Sequence, residues 1–101
     1  MAMPSFKGRV FSAAKRIPRG KVSTYGAVAK AIGDPAAARA VGNALNKSPG
    51  MTSCPCHRVV RSNGAVGGFA SGTKAKIALL RKEGVAVKSG RVDLRKYGFF
   101  F

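Results

Sequence analysis

Apolar residues return at helical spacing early in the chain, as Phe6, Val10, Ala13, Ala14 and Ile17, with Lys7, Arg9, Lys15 and Arg16 turned the other way. That period predicts an amphipathic helix, opened by a Ser5 cap and stopped at Pro18-Arg19-Gly20. Thr24 caps a second predicted helix with Val28, Ala31 and Ile32 as its buried stripe and Gly33 as its end. Asp34-Pro35 then pairs an N-cap with a proline at the first helical position, so a third helix, Ala36 to about Leu45, starts after almost no loop. Two short helices joined by a tight glycine turn predict a helix-turn-helix, whose second member enters a DNA groove.

On that third helix Ala38, Val41 and Leu45 form the apolar face, and Arg39, Asn43 and Asn46 share another. Ala36, Ala37, Ala40 and Gly42 leave the rest of the exposed side small, so Arg39 is the one long side chain that stands out. A good helix former packed inside a core would show the same run of alanines. Further on, Val59 to Val66 around Asn63-Gly64 predicts a short β-hairpin, and Gly67 to Gly72 a glycine-rich loop. Thr73 or Ser71 opens a last helix with Ile77, Leu79 and Leu80 buried and Gly84 at its end. The tail, 87–101, alternates apolar and basic residues as an edge strand or a docking segment. The pattern as a whole predicts a mostly α domain, 1–101, with a short β-hairpin: a winged-helix-like layout containing a helix-turn-helix.

Charge sharpens this. The chain has 101 residues, and its 19 Lys and Arg against three acids give a formal charge of +16. Such a field attracts a polyanion and repels a second copy, which favours nucleic acid over self-association and predicts a monomer. The basic residues are spread along the chain rather than gathered on a Trp/Leu-faced helix, which argues against a membrane surface. There is no apolar run near the roughly 20 residues of a bilayer span, and Met1 to Lys7 lacks the apolar segment of a secretory signal. A cytoplasmic protein associated with nucleoid or nuclear DNA is expected.

Chemistry-bearing side chains are scarce: Cys54, Cys56 and the one histidine, His57, lie within four residues. Two thiols one residue apart make a poor disulfide framework, and they lack the spaced ligand pairs of a structural zinc site, so no metal and no cofactor are expected. A thiol becomes nucleophilic beside positive charge and a histidine base, and such a base works best when a third group orients it. Glu83 is the candidate orienter, because it sits at the end of a predicted helix where the dipole disfavours an acid by roughly a few tenths of a kcal/mol. The alternative is that both cysteines are small core residues and His57 a satisfied buried histidine.

Pro55-Cys56-His57-Arg58-Val59 resembles the active-site motif of the O6-alkylguanine-DNA alkyltransferases, the methylated-DNA-protein-cysteine methyltransferases. Ile17 to Gly26, Ala37 to Gly42, Asn63 to Phe69 and Leu79 to Gly84 resemble further family motifs in order and spacing, so the resemblance spans about 6–86. It implies a single-turnover methyltransferase that flips O6-alkylguanine out of double-stranded DNA and keeps the alkyl group on Cys56, with His57 as base through a water and Glu83 orienting it. It further implies that Arg39 fills the vacated stack and Tyr25 helps turn the base out. Thr24, Ala37, Ala38, Ala40, Gly42 and Ser48 would meet DNA in the minor groove. Tyr25, Val59, Phe69, Ala70 and Ser71 would line the base pocket.

The chain departs from that pattern in four places. The resemblance does not extend to the family's N-terminal domain, Ser48 stands where an asparagine is usual, Ala70 where a serine is common, and Cys54 where an aliphatic residue is usual. Its length and the segment Leu94-Arg95-Lys96-Tyr97 also resemble the alkyltransferase-like proteins, which bind and mark alkylguanine without repairing it. Those typically replace the cysteine, often with tryptophan, whereas this chain keeps Cys56. A plain basic winged helix would not need the ordered set of motifs.

Overall fold

The structure, a computed structural model, describes residues 5–46, 55–67 and 72–101. Helix α1, Phe6–Ala14, starts where the Ser5 hydroxyl accepts the Gly8 N–H at 3.0 Å, and it buries Val10, Ala13 and Ala14. Strand β1, Ser23–Thr24, runs straight into α2, Tyr25–Ala31, because the Thr24 hydroxyl accepts the Ala27 N–H and closes the first turn. Gly33, at φ +83°, reverses the chain. A 3-10 turn, Pro35–Ala37, then leads into α3, Ala38–Asn46, and α2 with α3 makes the predicted helix-turn-helix.

Three local expectations change here. Asp34 precedes the 3-10 turn but makes no side-chain cap; its carbonyl accepts the Ala37 N–H instead, so the α-helix proper begins at Ala38 rather than Ala36. On α2 the inward stripe is Tyr25, Val28, Ala29 and Ile32, while Ala31 is exposed. The half-buried Tyr25 ring sets that phase, and i, i+3, i+4, i+7 follow from it. Helix α4, Thr73–Lys82, is preceded by Gly72 as N-cap, with no side-chain cap. It buries Leu80 fully, Ile77 and Leu79 only in part, and Lys76 completely.

The expected hairpin is corrected in its partners. The Asn63-Gly64 turn forms, with the Arg61 N–H on the Ala65 carbonyl at 2.8 Å and the Ala65 N–H on Asn63 Oδ1 at 3.0 Å. Its flanks pair elsewhere. Strand β2, Val59–Val60, lies parallel to β1 with Ser23 opposite Val59 and Thr24 opposite Val60, and Ala65 bridges to Arg91. A two-residue connection sits instead at Ser89-Gly90, where Lys88 and Arg91 exchange both backbone hydrogen bonds at 3.0 Å. Its φ angles of +53° and +72° are the pair a type I′ turn requires. Gly64 is pressed against that ribbon: a Cβ there would lie 2.6 Å from the Val92 carbonyl oxygen.

The little sheet divides two apolar clusters, since successive strand residues face opposite ways. Val59 belongs to the cluster of α1, α2 and α3; Val60 belongs to that of α4 and the tail, with Val22, Val85 and Val92. The tail is therefore a docking segment. The Val22 N–H donates to the Tyr97 carbonyl at 2.8 Å and the Phe99 N–H to the Val22 carbonyl at 2.7 Å, and α5, Leu94–Tyr97, opens with the Asp93 carboxylate capping the Arg95 N–H. No helix among the described residues is long and apolar enough to cross a membrane.

Candidate functional site

Pro55 leads into a 3-10 turn, Cys56–Arg58, held by the Arg58 N–H on the Pro55 carbonyl at 2.9 Å. Side chains leave such a turn about 120° apart, so three consecutive residues reach three environments. Cys56 is buried at the edge of the first core cluster. His57 Nε2 lies 3.0 Å from Glu83 Oε2, a close contact that falls outside strict hydrogen-bond geometry. Arg58 takes the same carboxylate in a fork, Nε donating to Oε1 at 2.9 Å and Nη2 to Oε2 at 2.7 Å. Its Nη1 donates to the Ile17 carbonyl at 2.9 Å, so the end of α1, the turn and the end of α4 are tied together.

Glu83 is the C-cap residue of α4, the position where an acid needs a partner. It has two. The Arg58 fork and, after burial acts the other way, the His57 contact hold its pKa down at about 2, so it stays a carboxylate. His57 was the expected partner; Arg58, the shorter and bidentate one, was not. An arginine beside the histidine was the available signal, since a buried carboxylate is most firmly held by a planar fork.

A second pair that sequence reasoning missed lies within electrostatic reach of Cys56. Lys76, with no exposed surface, donates from Nζ to the Tyr25 hydroxyl at 3.2 Å, and Nζ stands 5.5 Å from the Tyr25 ring centroid. Burial brings the lysine down to about 8, opposed by the nearby Cys56, and burial likewise pushes the Tyr25 phenol up. The sequence signal was Lys76 at i−4 from Leu80, on the stripe that faces the core.

The outer face of α3 opens onto a cleft of about 520 Å³ whose walls include Tyr25, Ala38, Arg39, Gly42, Asn43 and Arg61. Arg39 and Ala40 are exposed, and Ala37, Ala38 and Gly42 partly so. A Cβ on Gly42 would reach 3.8 Å from the Tyr25 ring, so small residues bring α3 close to that tyrosine. Tyr25 thus lines this cleft and also meets Lys76. Thr24 is buried, with its hydroxyl occupied in capping α2, and the Val59 side chain is in the core. Ser48, Phe69, Ala70, Ser71 and Cys54 lie outside the described residues.

The fold has known counterparts. The structure of S. pombe Atl1 in complex with damaged DNA containing O6-carboxymethylguanine matches with a TM-score of 0.87 at 34% identity, over 98% of each chain. That of Mycobacterium tuberculosis OGT in complex with DNA matches at 0.76 and 41% identity, over 82% of this chain and 51% of the other. The methylated-DNA–protein-cysteine methyltransferase of Methanosarcina acetivorans is 49% identical over 79 residues, 78% of this chain and 51% of the relative. A bifunctional methyltransferase/endonuclease of Picrophilus torridus is 41% identical over 90 residues, 89% of this chain and 30% of the relative. The chain spans about half the length of the first of these two curated relatives and less of the second. Residues 5–85 match the 6-O-methylguanine DNA methyltransferase DNA-binding domain, and the chain belongs to that family.

Proposed function

We propose that the chain binds double-stranded DNA containing O6-alkylguanine and moves the alkyl group onto its own Cys56 in a single, irreversible turnover. What supports this reading is that the buried Cys56 shares its 3-10 turn with His57, whose ring meets the Arg58-held Glu83 carboxylate, and that Tyr25 lines the same cleft as Arg39. With one ring nitrogen fixed at Glu83, the other nitrogen of His57 is the one left to take the thiol proton. The thiolate sulfur then bonds to the alkyl carbon as the bond from that carbon to guanine O6 breaks. Guanine leaves as an anion and recovers a proton at N1, so the net change is thiol and alkylguanine to thioether and guanine. The base must leave the stack for sulfur, carbon and oxygen to line up, and Arg39, exposed on α3, holds the duplex open in this reading.

A second reading, recognition without repair, is favoured by the match to Atl1 over 98% of both chains. The thiol separates the two. Incubation with a duplex holding one O6-methylguanine, followed by intact-mass measurement, is expected to add one methyl group to the wild type and none to Cys56→Ser. Tight binding of that duplex with no mass change would leave recognition alone.

A further inference from the structure

The tail ribbon is fastened to the wall of the Arg39 cleft. The Val92 N–H donates to the Gly64 carbonyl at 2.8 Å and the Val66 N–H to the Gly90 carbonyl at 3.0 Å, on the turn whose Asn63 lines that cleft with Tyr25, Arg39 and Arg61. Side chains alternate along the ribbon, so Val85, Val87 and Val92 enter the second apolar cluster while Lys88, Arg91 and Asp93 are exposed. Lys88, Arg91 and Lys96 line a second cleft, of about 390 Å³, with Tyr97 and one acid, Asp93, whose carboxylate caps the Arg95 N–H. Among the described residues none of these three cations forms an ion pair. Arg91 joins the two clefts, since its Nη1 donates to the Asn63 carbonyl at 3.5 Å.

We propose that the tail is a second DNA-contacting element, in which Lys88, Arg91 and Lys96 hold backbone phosphates of the duplex beside the stretch seated in the Arg39 cleft. The sign of the charge suits a phosphate chain, and three cations against one committed carboxylate leave the second cleft positive. Its place suits one too: a strand leaving the Arg39 cleft past Arg61 and Asn63 meets Arg91 next. The backbone hydrogen bonds to Gly64 and Val66 fix the ribbon before DNA arrives, so little ordering has to accompany binding. Phosphate contacts set register and carry no sequence information, which makes the tail a clamp on the duplex rather than a reader of bases. The ribbon follows the segment that matches the family, 5–85, so this contact belongs to the part of the chain that the match leaves unassigned. It rests on binding to duplex DNA and not on transfer to Cys56.

Salt dependence and footprint test it together. Affinity of the full chain for an undamaged duplex is titrated against salt by fluorescence anisotropy for the wild type, for Lys88→Ala/Arg91→Ala and for Lys7→Ala/Lys15→Ala, a pair exposed on α1 that removes the same charge and lines neither cleft. Each lost phosphate contact takes about 0.9 from the slope of log affinity against log salt, so the tail pair is expected to lower the slope by about 2 and the affinity at about 0.1 M salt by roughly tenfold or more. The α1 pair is expected to lower the slope by less than about 1. Hydroxyl-radical footprinting uses a duplex with one O6-methylguanine, with Cys56→Ser in every variant so that no transfer intervenes. Protection should be lost on one flank of the lesion in the tail pair and kept in the α1 pair. Lys88→Glu, which leaves Arg91 on Asn63, covers the case in which the tail pair does not fold, and it should shorten the same flank. Equal slopes for the two pairs, or an unchanged footprint in a folded tail variant, would overturn the proposal. A wild type without salt-sensitive duplex binding would overturn the DNA reading itself, and this proposal with it.

Discussion

Replacing Glu83 by glutamine keeps the shape of the side chain and removes its charge, which makes it a clean probe of the Arg58–Glu83–His57 assembly. The folded protein holds this carboxyl at about 2 against 4.5 for the ordinary group, chiefly through the Arg58 fork. That interval, at about 1.4 kcal/mol per pH unit, makes the ionised form worth about 3 kcal/mol to folding at neutral pH. The group's pKa is depressed by folding, so the contribution is complete above about 4.5 and is lost as pH falls toward about 2. Glutamine still accepts one hydrogen bond from Arg58, so a loss between about 2 and 3 kcal/mol is expected at pH 7. At about 1–1.5 kcal/mol per molar urea for a chain of this size, the urea midpoint drops by roughly 2 M. Urea melts followed by circular dichroism at pH 7, 4.5, 3 and 2 read both the size and the shape of the effect. The gap between wild type and Glu83→Gln should close below pH 3. A gap under about 1 kcal/mol at pH 7, or one that persists unchanged to pH 2, would refute the reasoning.

Two further outcomes follow from single positions. Arg39→Ala should slow alkyl transfer from duplex DNA about tenfold or more while salt-sensitive duplex binding falls only a few-fold; equal losses in a transfer assay and a titration of affinity against salt would make Arg39 a phosphate contact and nothing else. Ser23 is fully buried and its hydroxyl has no hydrogen-bond partner among the described residues, so Ser23→Ala should raise stability by about 1 kcal/mol and Tm by about 4 °C, and a fall in Tm would show that the hydroxyl is satisfied.

What could be read in the sequence is what depends on neighbours along the chain. Ser5 and Thr24 cap the helices they precede because a cap acts three residues away, and both bonds form at 3.0 Å. The Asn63-Gly64 turn is equally local, and it closes as expected. Its flanking strands depend on distant partners: Val59–Val60 finds Ser23–Thr24 and Ala65 finds Arg91, choices that no alternation pattern encodes. The same distinction runs through the site. That Glu83 needed a partner followed from its place at a helix end; that Arg58 is its main one depends on how the 3-10 turn fans three adjacent side chains. Lys76 was hidden for a different reason. A lysine on an apolar stripe reads as a solvated interruption, and only the packing of α4 against Tyr25 and Cys56 shows that it is enclosed.

The 3-10 turn also gives two adjacent residues different surroundings in one region, where neighbours on a strand would point to opposite faces. Cys56 turns into the core edge and His57 toward Glu83, while Arg58 anchors the turn from below through Ile17 and Glu83. The turn has few hydrogen bonds of its own, so its shape depends on that anchor. Stability and reactivity are therefore linked at one carboxylate: the charge that holds Arg58, and with it the turn, is the charge that orients His57. A substitution that frees Arg58 without touching His57 should disturb the thiol nearly as much as one that removes His57. In this fold the placement of the Cys56 thiol depends on the salt bridge beneath its turn.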